Sequence, residues 1–114
     1  MKIYTWKPEP FMIGGTGRFI ATNIEEYERV DIGLGYYGIV FRNPVHKQWH
    51  LALEDCGALI GSGAAKAGAV KAVKKDVETG DPELMKKQIA QGRKDRDNAD
   101  VLEPEEFFRL LKGD

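Results

Sequence analysis

Cys56 is the only cysteine in the chain. No intrachain disulfide can form, which excludes a disulfide-stapled secreted scaffold and points to a reducing, cytoplasmic setting. Long apolar runs are missing as well. No stretch approaches the roughly 18 residues that a membrane helix needs, and the opening Met-Lys-Ile-Tyr-Thr-Trp-Lys-Pro has no apolar run of signal-peptide length. No membrane partner is expected. Nor is there an excess of one charge. Residues 1–62 carry 6 Lys+Arg against 7 Asp+Glu, and residues 63–114 carry 11 of each, for a formal net charge of −1. That balance gives no global pull toward nucleic acid or anionic lipid, so any basic site is local.

Histidine is scarce too, with two residues. Structural zinc usually takes four ligands in recognised pairs, and His46, His50 and Cys56 are three scattered groups. No metal and no cofactor are expected. What remains is an ordinary globular composition, 42% hydrophobic and 31% charged over 114 residues. That is enough chain for one domain, 1–114, burying roughly 65% of its unfolded surface.

Residues 2–6 are rich in β-formers and are closed by Pro8 and Pro10, which predicts a short strand. Gly14-Gly15-Thr16-Gly17 reads as a turn and 18–22 as a second strand. The acidic, glycine-containing stretch 23–35 reads as a loop, with a helical turn at 24–29. Residues 36–42 and 48–54 form a hairpin around a five-residue loop, and 58–60 add a short strand.

The period then changes from 2 to 3.6. Val70, Val73 and Val77, with Ala69, mark one face of a helix over 64–78 that ends at Gly80. Asp81 and Pro82 supply an N-cap and a first helical residue for a second helix. Gly92 and the charged stretch 93–98 weaken or end it. A last helix covers 104–111. Strands grouped before helices predict an α+β fold, a small antiparallel sheet of about four strands followed by two or three helices packed on one face.

Each chemical motif is incomplete. Gly61-Ser62-Gly63 precedes a helix, but a Walker loop would continue Gly-Lys-Ser/Thr, and the dinucleotide fingerprint needs a glycine where Lys66 stands. Cys56 follows Glu54 and Asp55, which disfavour a thiolate, so a small buried residue is expected rather than a nucleophile. Asp95, Asp97, Leu102 and Glu106 fit an EF-hand loop. Ala99 and Asp100 break it, at a ligand position and at the position of the sharp turn.

The hairpin carries aromatic and basic residues, among them Tyr36, Arg42, Lys47 and Trp49, of the kind that bind single-stranded nucleic acid by stacking and charge. In element order, a hairpin followed by a helix resembles three-strand-plus-helix DNA-binding modules and small antitoxin-like domains with a half RNase H topology. Leu53-Glu54-Asp55-Cys56-Gly57 stands where the antitoxin pattern carries Pro-Asp-Leu-x-Gly, and no family is assigned. At the other end, Phe107, Phe108, Leu110 and Leu111 place four large apolar side chains within five residues. Such a cluster packs on the sheet, on a second copy or on a partner.

With no catalytic constellation, the expected function is that of a non-enzymatic accessory protein. It would act through a protein partner or as a homo-oligomer, using Phe107, Phe108 and Leu111. The alternative is nucleic-acid binding through the 36–54 hairpin and the lysine-bearing 64–78 helix.

Overall fold

The computed structural model describes residues 1–8 and 17–111. The element order is β1 (Lys2–Pro8), β2 (Gly17–Asn23), β3 (Glu28–Gly33), β4 (Tyr36–Asn43), β5 (Gln48–Leu53), β6 (Leu59–Gly63), α1 (Lys66–Thr79), α2 (Pro82–Asp97), β7 (Asp100–Val101) and α3 (Pro104–Leu110). The fold is α+β, as the strand-then-helix order predicts. The turn expected at Gly14-Gly15-Thr16 lies outside the described residues.

A four-stranded antiparallel sheet, β3-β4-β5-β6, forms the central layer. A smaller sheet, β1-β2-β7, pairs β1 with β2 antiparallel and β2 with β7 parallel. The two sheets join where Tyr4 N–H donates to the Gly57 carbonyl at 2.9 Å.

Strand alternation gives the central sheet two buried faces. Ile39, Phe41 and Ala52 pack with Ile3 and Ile20 of the small sheet and with Phe107 and Leu111 at the chain's end. Ile32, Leu51 and Leu53 pack on the opposite side against Val73 and Val77 of α1, Ile89 of α2 and Cys56. Two helices therefore cover one face, and α3 joins the small sheet on the other. The valine periodicity of α1 is seen directly in its buried residues, Ala69, Val73 and Val77. Full burial of each valine is worth roughly 1.5–3 kcal/mol.

Two expectations are corrected. The stretch 23–35 contains a strand, β3, because Val30 and Ile32 alternate with Arg29 and Asp31 along an edge. Its turn into β4 is two residues long, with positive φ at Leu34 (54°) and Gly35 (79°), the conformation that a right-twisted hairpin favours. Second, α2 does not stop near Gly92 but runs to Asp97. Gly92 is buried, and a Cβ there would lie 2.6 Å from the Tyr4 hydroxyl and 2.8 Å from Cys56 Sγ. Glycine is what lets the helix come this close. Tertiary contacts hold the charged turn that follows. Arg93 grips Asp55 through two hydrogen bonds of 2.7 and 2.8 Å, Arg96 Nη1 donates to the Asp55 carbonyl, and Lys2 Nζ donates to the Arg96 carbonyl. The start of α2 is as expected, with Asp81 Oδ1 accepting from Glu83 N–H at 3.0 Å.

Among the described residues, no helix is long and apolar enough to cross a membrane.

Candidate functional site

The hairpin residues separate according to strand register. Arg42 and Trp49 are direct cross-strand partners, so they share a face. Both line an open groove of about 930 Å³. Tyr36 lies elsewhere, in a second cleft. Lys47 is exposed in the β4–β5 turn, with φ of 52°. The C-terminal cluster also divides. Phe107 and Leu111 are buried in the core, so of the three packings foreseen for this helix, packing within its own chain is the one observed. Phe108 is half-buried, 6.2 Å from Phe41 ring to ring, and lines the groove. The structure thus brings together Arg42, Trp49 and Phe108 out of the residues singled out from the sequence.

The groove is assembled from segments far apart in the chain. The β2–β3 connection (24–27) supplies one side and residues 101–104 another. Buried Val40 and Phe41, with half-buried Trp49 and Phe108, form its apolar base. Exposed Glu25, Glu26, Tyr27 and Glu103 form its rim. Glu28 also lines it, paired with Lys66. Four carboxylates against two cations, Arg42 and Lys66, make the lining net acidic. Glu25, Glu26 and Glu103 carry no salt bridge among the described residues, nor does Arg42. The rim residues gave little sequence signal beyond Tyr27, an aromatic side chain inside an acidic stretch.

Beside the groove, a buried polar cluster pins α3 to the hairpin. Asn43 Nδ2 donates to the Phe108 carbonyl at 3.0 Å, while Asn43 Oδ1 accepts from the N–H groups of Val45 and His46 at 3.0 and 3.1 Å. With its amide oriented this way, Asn43 Nδ2 also donates to His50 Nε2 at 3.2 Å. The neutral imidazole then carries its proton on Nδ1, which is buried without a partner. Burial in the first place, and then nearby His46 and Lys7, push the His50 pKa down to about 4. The ring is neutral at pH 7.

None of the incomplete motifs is completed by the fold. Cys56 is buried in the α1–α2 core near the Tyr4 hydroxyl, and desolvation, chiefly, raises its thiol pKa. His50 packs instead against Phe41 in the other core. Asp95 and Asp97 lie within helix α2 rather than in a loop, and Glu106 lies in the first turn of α3. No protein-family model, curated protein or solved structure matches the chain.

Proposed function

We propose that the chain is a non-enzymatic binding module whose groove receives a basic, extended segment of a partner protein. The observation that carries this reading is the lining: an apolar, aromatic base beneath a rim of carboxylates that have no partner of their own. A lysine or arginine beside an apolar anchor is complementary to it, since the carboxylates meet the cation and Tyr27 and Trp49 offer ring faces for cation–π contact. The same lining disfavours the alternative. Arg42, Lys47 and Trp49 are the types that hold single strands, but the carboxylates around Arg42 and Trp49 would repel a phosphate backbone.

Selection of short peptides from a displayed library tests the reading. Enriched peptides should carry Lys or Arg next to a large apolar residue. They should lose at least tenfold in affinity for a variant with Glu25→Lys, Glu26→Lys and Glu103→Lys, a loss of about 1.4 kcal/mol or more. A Lys87→Glu control, exposed on α2, which adds no residue to the groove lining, should bind normally. Enrichment of acidic peptides, or indifference to the triple substitution, rejects the proposal. Fluorescence anisotropy with labelled single-stranded DNA decides the alternative. Tight binding lost in Arg42→Ala and Trp49→Ala would replace the protein-binding reading with it.

A further inference from the structure

A second cavity, of about 340 Å³, opens between the β3–β4 turn and the corner where α1 passes into α2. Tyr36, Leu53, Ile60, Val73, Val77 and Met85 line it. This volume and this mostly apolar lining fall in the range of small-molecule sites. Leu34 and Leu84 also line it, yet they are 64% and 52% exposed, among the most exposed large apolar side chains described.

Leu34 is the more telling of the two. It sits in left-handed backbone, φ 54°, between two glycines that adopt such backbone without strain. A leucine there meets a steric cost that glycine or asparagine would avoid, and it also leaves its side chain in water. Strain of this kind, at the mouth of a cavity, points to an occupant that covers the side chain.

The polar part of the lining gives the occupant a charge. Asp76 and Asp81 lie at the α1–α2 corner. The last turn of α1 ends here with no basic residue, so its partial negative charge adds to theirs. Asp81 is engaged as the cap of α2, whereas the Asp76 carboxylate makes no salt bridge among the described residues. The geometry points to a binding site for a small amphipathic amine, its apolar body between Leu34, Ile60 and Met85 and its ammonium at Asp76. This site is separate from the acidic groove and does not depend on it.

Titration with phenylbutylamine, followed by amide and methyl NMR shifts, tests the assignment, with phenylbutyrate and phenylbutanol as the anionic and neutral matches. The amine should shift resonances of Leu34, Ile60, Val77 and Met85, and should bind roughly fivefold more tightly than the alcohol, as one partly screened ion pair gives. The carboxylate should bind most weakly. Asp76→Asn should abolish the preference of amine over alcohol. Leu34→Asn suits left-handed backbone, so it should keep or raise the melting temperature while weakening all three probes. Absence of shifts at millimolar amine, shifts confined to Tyr27 and Trp49, equal affinity for amine and carboxylate, or unchanged binding in folded Leu34→Asn would each overturn the site.

Discussion

On the α1–α2 side of the central sheet, the buried partners are aliphatic: Ile32, Leu51, Leu53, Val73, Val77 and Ile89. On the α3 side, Phe41 and Phe107 share the interior with fully buried Asn43 and His50. The first face is held by shape, which tolerates adjustment among similar side chains. The second is held by shape together with a directional polar cluster, and such a cluster is costly when one member changes charge or leaves. The groove draws on both sides, since Val40, Arg42 and Trp49 share the Leu51 side by register while Phe41 and Phe108 belong to the α3 side. Both faces should therefore be sensitive to volume, and the α3 face to pH as well.

The largest loss is expected from Phe107→Ala. Phe107 is fully buried, and truncating a buried phenylalanine costs about 3–5 kcal/mol. Urea unfolding measures it. A value below about 1 kcal/mol would mean that α3 is a loosely attached appendage and that the comparison of faces is misplaced.

Acid should weaken the α3 face next. The folded-state pKa of His50, about 4, lies below its ordinary value of 6.5. Between those values the unfolded chain binds the extra proton and the folded chain resists it. The contribution of His50 is therefore fully present above pH 6.5 and is lost as pH falls toward 4, by up to about 3 kcal/mol for this group alone. Denaturation series at pH 7, 5.5 and 4 should show that slope, and His50→Gln should flatten it. An equal slope in His50→Gln would assign the acid sensitivity to other groups.

Gly92→Ala attacks the α1–α2 face through its closest approach. The added methyl meets the Tyr4 hydroxyl and Cys56 Sγ inside 3 Å, and overpacking of this kind costs about 1–3 kcal/mol. In an unconstrained helix the same change would help, because alanine is the better helix former. A stabilised Gly92→Ala would therefore show that the packing is looser than the structure has it.

Much of this architecture is legible in the chain, and the reasons differ by element. The 36–43/48–53 hairpin and α1 declare themselves because each repeats an apolar spacing over several residues. Strand β3 hides because its Val30 and Ile32 alternate with charges on an edge, next to an acidic connection. The tail of α2 hides because Gly92 signals a helix end, while Arg93, Arg96 and Lys2 supply tertiary anchors that no local pattern carries. β7 is two residues long. The groove joins Glu25–Tyr27 to Glu103 across most of the chain, and the second cavity joins Leu34 to Asp76 and Met85. Strand parity could place Arg42 and Val40 on one face, but it could not bring those distant segments together.

Cys56→Ser is expected to have the smallest effect, and it tests whether the two faces open together. The thiol is fully buried, its pKa is raised mainly by desolvation, and the Tyr4 hydroxyl lies nearby. A serine hydroxyl is close to the thiol in size and has the Tyr4 hydroxyl nearby as a partner, so the change should cost about 1 kcal/mol, the lower end of burying a more polar group. In the unsubstituted chain the same burial should make Cys56 react with a disulfide reagent only when the α1–α2 face opens. If the central sheet couples its two faces, Phe107→Ala raises the labelling rate by the factor its stability loss implies, about 1000-fold for 4 kcal/mol. If the faces open independently, labelling stays at the unsubstituted rate while urea unfolding still records the loss. The first outcome makes the sheet one cooperative unit. The second makes α3 and the groove beside it a part that can loosen alone, and acid should then release it through His50 before Cys56 becomes reactive.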